Sequence, residues 1–155
     1  MNNAIRQGLS FGLTSGIITT LGLLIGLNFS TNSKLVVMSG VIVIAIADAL
    51  SDSFGMHISE ESVRTKQKKI WQATSATFLS KFILGISFLI PILLFNLTTA
   101  VYISIAWAIL LLTIISYHLA KREKINPLKV ILEHLTIAII VIIISAYIGN
   151  LTSHL

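Results

Sequence analysis

Cysteine is absent from the 155-residue chain, which excludes a disulfide framework and any thiolate metal centre. Charge is nearly as scarce: only 11% of the residues are charged against 55% hydrophobic, and the mean hydropathy is +0.92. A soluble domain of this length needs more charge than that to cover its surface. Proline occurs twice, at Pro91 and Pro127, so long apolar stretches run without interruption. No glycine-rich nucleotide-binding loop is present, nor any Ser/His/Asp or Cys/His arrangement in a convincing setting. The expectation is a chain that is not an enzyme and carries no resident cofactor.

What remains is five apolar runs, each near the roughly 20 residues that cross a bilayer. They cover about residues 9–28, 35–57, 76–95, 98–119 and 128–150. This predicts an all-α integral membrane protein, a single five-helix transmembrane domain over residues 1–155 in the cell membrane. The first run is too long for a cleavable signal and is followed by "GLNFSTNSK", which offers no small-residue cleavage site. The net charge of +5 reads as topology, with no nucleic-acid partner expected. Arg6, Arg64, Lys66, Lys68, Lys69, Lys121, Arg122, Lys124 and Lys129 fall at the N-terminus or in the connections after the second and fourth runs. By the positive-inside rule the N-terminus is then cytoplasmic and the C-terminus external. Trp71 suits an interfacial anchor, Pro127 suits a helix first turn, and Pro91 is expected to kink the third span.

Two textures stand out against this apolar background. Along the first span Gly8, Gly12 and Gly16 recur at intervals of four, followed by Gly22 and Gly26, with Thr14, Ser15, Thr19 and Thr20 among them. Small residues at that spacing let helix backbones approach closely in lipid. In the second span Asp48 and Asp52 lie four residues apart, hence on one helix face. A charged aspartate at the bilayer centre costs about 2.5–3.5 kcal/mol on insertion scales, so intramembrane acids usually mark function. Met56 and Glu60 continue the stripe. Carboxylate oxygens suit hard divalent cations, and a thioether tilts preference towards a transition metal. Asp48, Asp52, Met56 and Glu60 are therefore the candidate metal site. The hydroxyls of Ser51, Ser53, Thr14 or Ser15 are candidate partners for the carboxylates. Ser15, Thr19, His57, Glu61 and Glu133 are candidate path-lining residues. Lys81, placed near the cytoplasmic end of the third run, is expected to snorkel to that surface, where Glu133 is a possible partner.

"GLTSGIITTLGLLIGL" (12–27) and "ADALSDSFGMHISEES" (47–62) resemble the first two helices of the vacuolar iron transporter family. "NPLKVILEHLTIAIIVIIISAYIG" (126–149) also fits that family's last helix. The resemblance implies a dimer of five-helix subunits, packed near the first and second helices, that moves Fe²⁺ or Mn²⁺ out of the cytoplasm against protons. Ser15 stands where the family usually has a first-helix aspartate, Asp52 where a second-helix methionine is common, and Met56 where the family has a glutamate. The connection after the second helix is too short for the family's cytosolic metal-collecting domain, so the chain resembles a short form, with Glu60 and Glu61 as its remnant.

The expected function is thus a divalent transition-metal transporter, exporting Fe²⁺ or Mn²⁺ with protons as counter-ion. Its expected partners are the metal ion, the lipid bilayer and a second copy of the chain. Two other classes compete: a non-transporting membrane scaffold or assembly subunit held by the glycine stripe, and an intramembrane metal-dependent lipid phosphotransferase. The second uses a similar Asp-x-x-x-Asp spacing, but its upstream Asp-Gly-x-x-Ala-Arg element is missing.

Overall fold

The computed structural model describes residues 3–154. Six helices follow in order: α1 (Asn3–Thr31), α2 (Lys34–Ser62), α3 (Gln67–Ser87), α4 (Leu89–Leu94), α5 (Leu97–Glu123) and α6 (Pro127–Thr152). No strand occurs among the described residues. α3 and α4 are one span interrupted at Phe88, so five helices are long and apolar enough to cross a membrane. The interruption is where Pro91 acts. Its ring and missing N–H remove the backbone bond to Ser87, four residues back. Ser87 turns its side chain to other partners: its hydroxyl donates to the Leu84 carbonyl and accepts from the Trp107 indole N–H at 3.1 Å.

Local chemistry sets the helix ends. Ser33, Asn96 and Asn126 each cap a helix N-terminus by accepting a backbone N–H, from Val36, Thr99 and Leu128 respectively, and Pro127 occupies the first turn of α6. α2 and α5 stop in left-handed residues, Arg64 (φ 55°) and Lys124 (φ 57°). In each the next residue donates back across the last turn, Thr65 to the Glu60 carbonyl and Ile125 to the Ala120 carbonyl, the Schellman closure. The helices extend beyond the apolar runs. α3 begins at Gln67, nine positions before residue 76, because "QKKIWQATS" is polar but fully helix-compatible.

α1 is the axis of the bundle and packs on α2, α3, α5 and α6. Its glycines divide by partner. A Cβ at Gly8 would meet the Ala73 carbonyl, and one at Gly12 the Ser80 hydroxyl and the Thr77 carbonyl (2.6 Å). One at Gly16 would meet the Cγ and Cα of Lys81 (3.0 and 3.2 Å). These three seat α3, and the Thr77 hydroxyl reaches the Gly8 carbonyl at 3.3 Å across the contact. Gly22 and Gly26 instead face α6 at Val141 and Ser145. On α2, Ala45 sits 3.1 Å from where a Gly85 Cβ would be, which brings α2 and α3 together beside α1. The alternating helix directions gather the basic residues other than Lys34 and Lys81 at one end of the bundle, where Arg6 of α1 lies 3.8 Å from Glu123 of α5. Lys34 lies at the opposite end, donating to the Phe95 carbonyl at 2.9 Å.

Candidate functional site

Asp48 lies fourteen residues from each end of α2 (34 and 62). Lys81 lies fourteen residues after Gln67 and thirteen before Leu94. At about 1.5 Å per residue, each is roughly 20 Å from the ends of its span. The close seating of α3 on Gly12 and Gly16 carries Lys81 past the α1 backbone, and its ammonium emerges against the acidic face of α2.

There the lysine is enclosed. Its side chain is only 2% exposed, and Nζ lies 2.6 Å from Asp48 Oδ2. It also makes a short ion pair with Asp52 Oδ2 and donates to Ser15 Oγ at 2.9 Å. An ammonium has three protons to donate, and these three acceptors use them all. The hydroxyls of α1 complete the arrangement. Ser15 Oγ donates to Asp52 Oδ2 at 2.8 Å and Thr19 Oγ1 to Asp48 Oδ2 at 2.7 Å. The five side chains form one network across three helices, in which each carboxylate has one hydroxyl and the shared ammonium. The carboxylates are less enclosed than the lysine: Asp48 and Asp52 are 25% and 24% exposed. With all three groups ionised, two carboxylates against one ammonium leave one unbalanced negative charge.

The snorkelling expectation for Lys81 is therefore corrected. The reason is tertiary: its ammonium is held by Asp48, Asp52 and Ser15 of the two neighbouring helices, and its side chain is enclosed between them. Glu133 is exposed on α6 and does not pair with it. Of the candidate hydroxyls Ser15 is the one that binds a carboxylate, joined by Thr19. Ser53 donates to its own helix at Leu50 and Thr14 at Ser10.

The lower stripe goes elsewhere. Met56 is buried with Ala4 and Ala73, and Glu60 is buried near the cytoplasm-expected end of α2. His57 makes a 3.2 Å hydrogen bond between Nδ1 and Thr74 Oγ1 and meets Trp71 edge-on at 4.8 Å, while Glu61 is exposed. Among the described residues no three His, Asp or Glu side chains group into a metal cage. Lys81 is the site residue that the apolar-run reading missed. The signal was available in charge balance, because two acids on one face of an apolar helix call for a counter-charge.

An open groove of about 540 Å³ leads away from the network along α1, α2 and α6. Thr19 stands at its inner end, Gly22 and Gly26 make its floor, and Ser30, Ser145 and Thr152 carry hydroxyls along it towards the end opposite the basic residues.

No family model matches the chain, and no curated protein or solved structure is similar to it.

Proposed function

We propose that the chain is a multi-pass membrane transporter of a divalent transition-metal cation, Fe²⁺ or Mn²⁺, with Asp48 and Asp52 as the intramembrane carboxylates that receive it. The single observation that carries this reading is that two carboxylates, Asp48 and Asp52, share a single enclosed ammonium, Lys81, midway along the apolar helices α2 and α3. Two carboxylates with one counter-charge in an apolar bundle draw a cation or a proton. The oxygen donors at hand, two carboxylates and the hydroxyls of Ser15 and Thr19, suit a hard or borderline divalent ion. The groove from Thr19 to Ser30 and Thr152, walled mostly by apolar side chains with hydroxyls at intervals, is the route of escape in this reading.

In this reading the basic end is cytoplasmic, the metal leaves towards the opposite end, and protons return in exchange. One chain brings only two carboxylates, so a second copy packed through α1 and α2 doubles the set about a two-fold axis. The choice of iron or manganese rests on the resemblance of "ADALSDSFGMHISEES" to the vacuolar iron transporters.

Complete use of the ammonium protons favours a second reading, a scaffold whose charge triad only locks three helices together. Metal flux separates the two. Single variants Asp48→Asn and Asp52→Asn each leave Lys81 facing one carboxylate, with no net charge, and should fold. In proteoliposomes holding a metal-sensitive dye, transport predicts that Mn²⁺ flux falls at least about tenfold in either variant, a change of about 1.4 kcal/mol. Unchanged flux in both variants would sink the carboxylate mechanism, and no flux in the native chain would leave the scaffold.

A further inference from the structure

The proposal above leaves an awkward fact: the site already holds a cation. Lys81 Nζ occupies the space between Asp48 Oδ2 and Asp52 Oδ2 that any ion bridging the two carboxylates needs. A metal and the ammonium compete for the same oxygen atoms. We infer that Lys81 is a tethered competing cation that makes the site selective for divalent over monovalent ions. The inference rests on the transport reading and names the device that sets its specificity.

A monovalent ion that displaces the ammonium replaces one positive charge by another, so its attraction to the two carboxylates is no greater. It also competes with a group that is permanently at contact distance and needs no capture from solution. The displaced ammonium meanwhile loses three acceptors inside an apolar bundle, a further penalty. A divalent ion brings twice the charge to the same two carboxylates and balances them fully, which offsets that loss. Sodium and potassium are excluded by the lysine, and Fe²⁺ or Mn²⁺ passes the same test.

The fold is built for this competition. Gly16 leaves room for the lysine stem, whose Cγ lies 3.0 Å from where a Cβ would stand. The ammonium is nearly sealed from outside while both carboxylates keep an open side, so an arriving ion reaches the acids first. Ser15 Oγ touches both the ammonium and Asp52, and it can stay with Asp52 when the lysine lets go. No acidic or basic group other than Asp48 and Asp52 contacts Lys81 among the described residues.

Equilibrium Mn²⁺ binding to the purified protein in lipid nanodiscs, read from the free-Mn²⁺ resonance signal, tests this. Lys81→Met keeps the stem and removes the charge. It should bind Mn²⁺ at least about tenfold more tightly. Sodium should compete with Mn²⁺ in Lys81→Met but not in the native chain, each compared with choline at equal ionic strength. Lys81→Arg keeps the charge and should keep the exclusion of sodium. If sodium competes equally in the native chain and in Lys81→Met, or if Mn²⁺ affinity does not rise, the inference is overturned. Should Lys81→Met not fold, the native chain carries its own test. Mn²⁺ must free the ammonium, so labelling of Lys81 by a membrane-permeant amine reagent, followed by mass spectrometry, should rise severalfold with Mn²⁺, and constant labelling overturns the idea.

The two proposals fail separately. Native flux without the Lys81→Met gain removes the role of the lysine and leaves transport standing. The gain without native flux keeps the ion competition and removes transport.

Discussion

The two glycine runs of α1 share a spacing but differ in what they hold. Gly8, Gly12 and Gly16 press against α3 so closely that an added Cβ would meet backbone carbonyls or the lysine stem, whereas at Gly26 it would find Ser145 at an ordinary 3.6 Å. The first run draws a charged helix across α1. The second seats α6: Gly149 lies against the Gly26 backbone, while a Cβ at Gly22 would meet side-chain atoms alone, the nearest Val141 Cγ1 at 2.8 Å. Small-xxx-small spacing thus predicts close approach, but the neighbour decides whether that closeness serves packing, charge placement or a path. At the tight end, glycine fixes where an ammonium sits relative to two carboxylates, and a few tenths of an ångström matter there.

The largest contrast comes from bulk. Gly12→Leu places a branched side chain where the Ser80 hydroxyl and the Thr77 carbonyl stand, and backbone cannot yield as a side-chain tip can. Overpacking of this kind costs about 1–3 kcal/mol in ordinary cores and more where backbone is the obstacle. Gly12→Leu should therefore lose most of the folded, monodisperse protein in detergent, as seen by size-exclusion chromatography and thermal unfolding. A Gly12→Leu protein as stable as the native one would erase the distinction between the two runs.

A finer change separates packing from charge placement. At Gly16 the obstacles are the Lys81 stem at 3.0 Å and its Cα and carbonyl oxygen at 3.2 Å, and a methyl group there forces the lysine to shift by a few tenths of an ångström without blocking α3 outright. Gly16→Ala should cost only about 1 kcal/mol of stability yet weaken discrimination against sodium in the Mn²⁺ binding assay. The ammonium would no longer reach both carboxylates equally. If Gly16→Ala lowers stability and leaves ion discrimination intact, the tight run is packing and nothing more.

How much of this could be read from residues alone differs between the two runs as well. The five spans were legible, because a continuous apolar run of that length has few other fates. Their ends were not: α1 begins at Asn3 and α3 at Gln67, since polar residues such as Lys68, Lys69 and Gln72 favour helix as well as apolar ones do. Lys81, five positions into its apolar run, read as a surface-reaching residue because the run alone does not show which helices enclose it, and this hid the key partner of Asp48 and Asp52. The acidic pair itself was plain from its spacing, and Ser15 and Thr19 were legible as polar residues on the neighbouring helix. Met56 and Glu60 show the limit of periodicity. Spacing assigns them to one stripe, but which helix covers each turn of α2 is a tertiary fact, and Ala4 and Ala73 enclose the methionine. For the glycines, close packing followed from the pattern, while the division between α3 and α6 required the topology.

The smallest expected effect is at the loose run, and its sign is informative. A Cβ at Gly26 meets Ser145 O at 3.6 Å and Ser145 Cβ at 3.9 Å, which is van der Waals contact without overlap. Alanine is favoured over glycine within a helix by about 0.8–1.0 kcal/mol, and the added methyl fills space at the groove floor. Gly26→Ala should therefore leave thermal stability unchanged or raise it slightly, the opposite sign to Gly16→Ala. Mn²⁺ affinity and sodium exclusion should stay native, because no contact of Asp48, Asp52 or Lys81 is altered. Flux is the sharper reading: a methyl on the groove floor narrows the route beyond Thr19 and should slow release while leaving binding intact. Native flux in a stable Gly26→Ala protein would mean that the metal leaves by another route, and the groove would then be only the seam between α1 and α6.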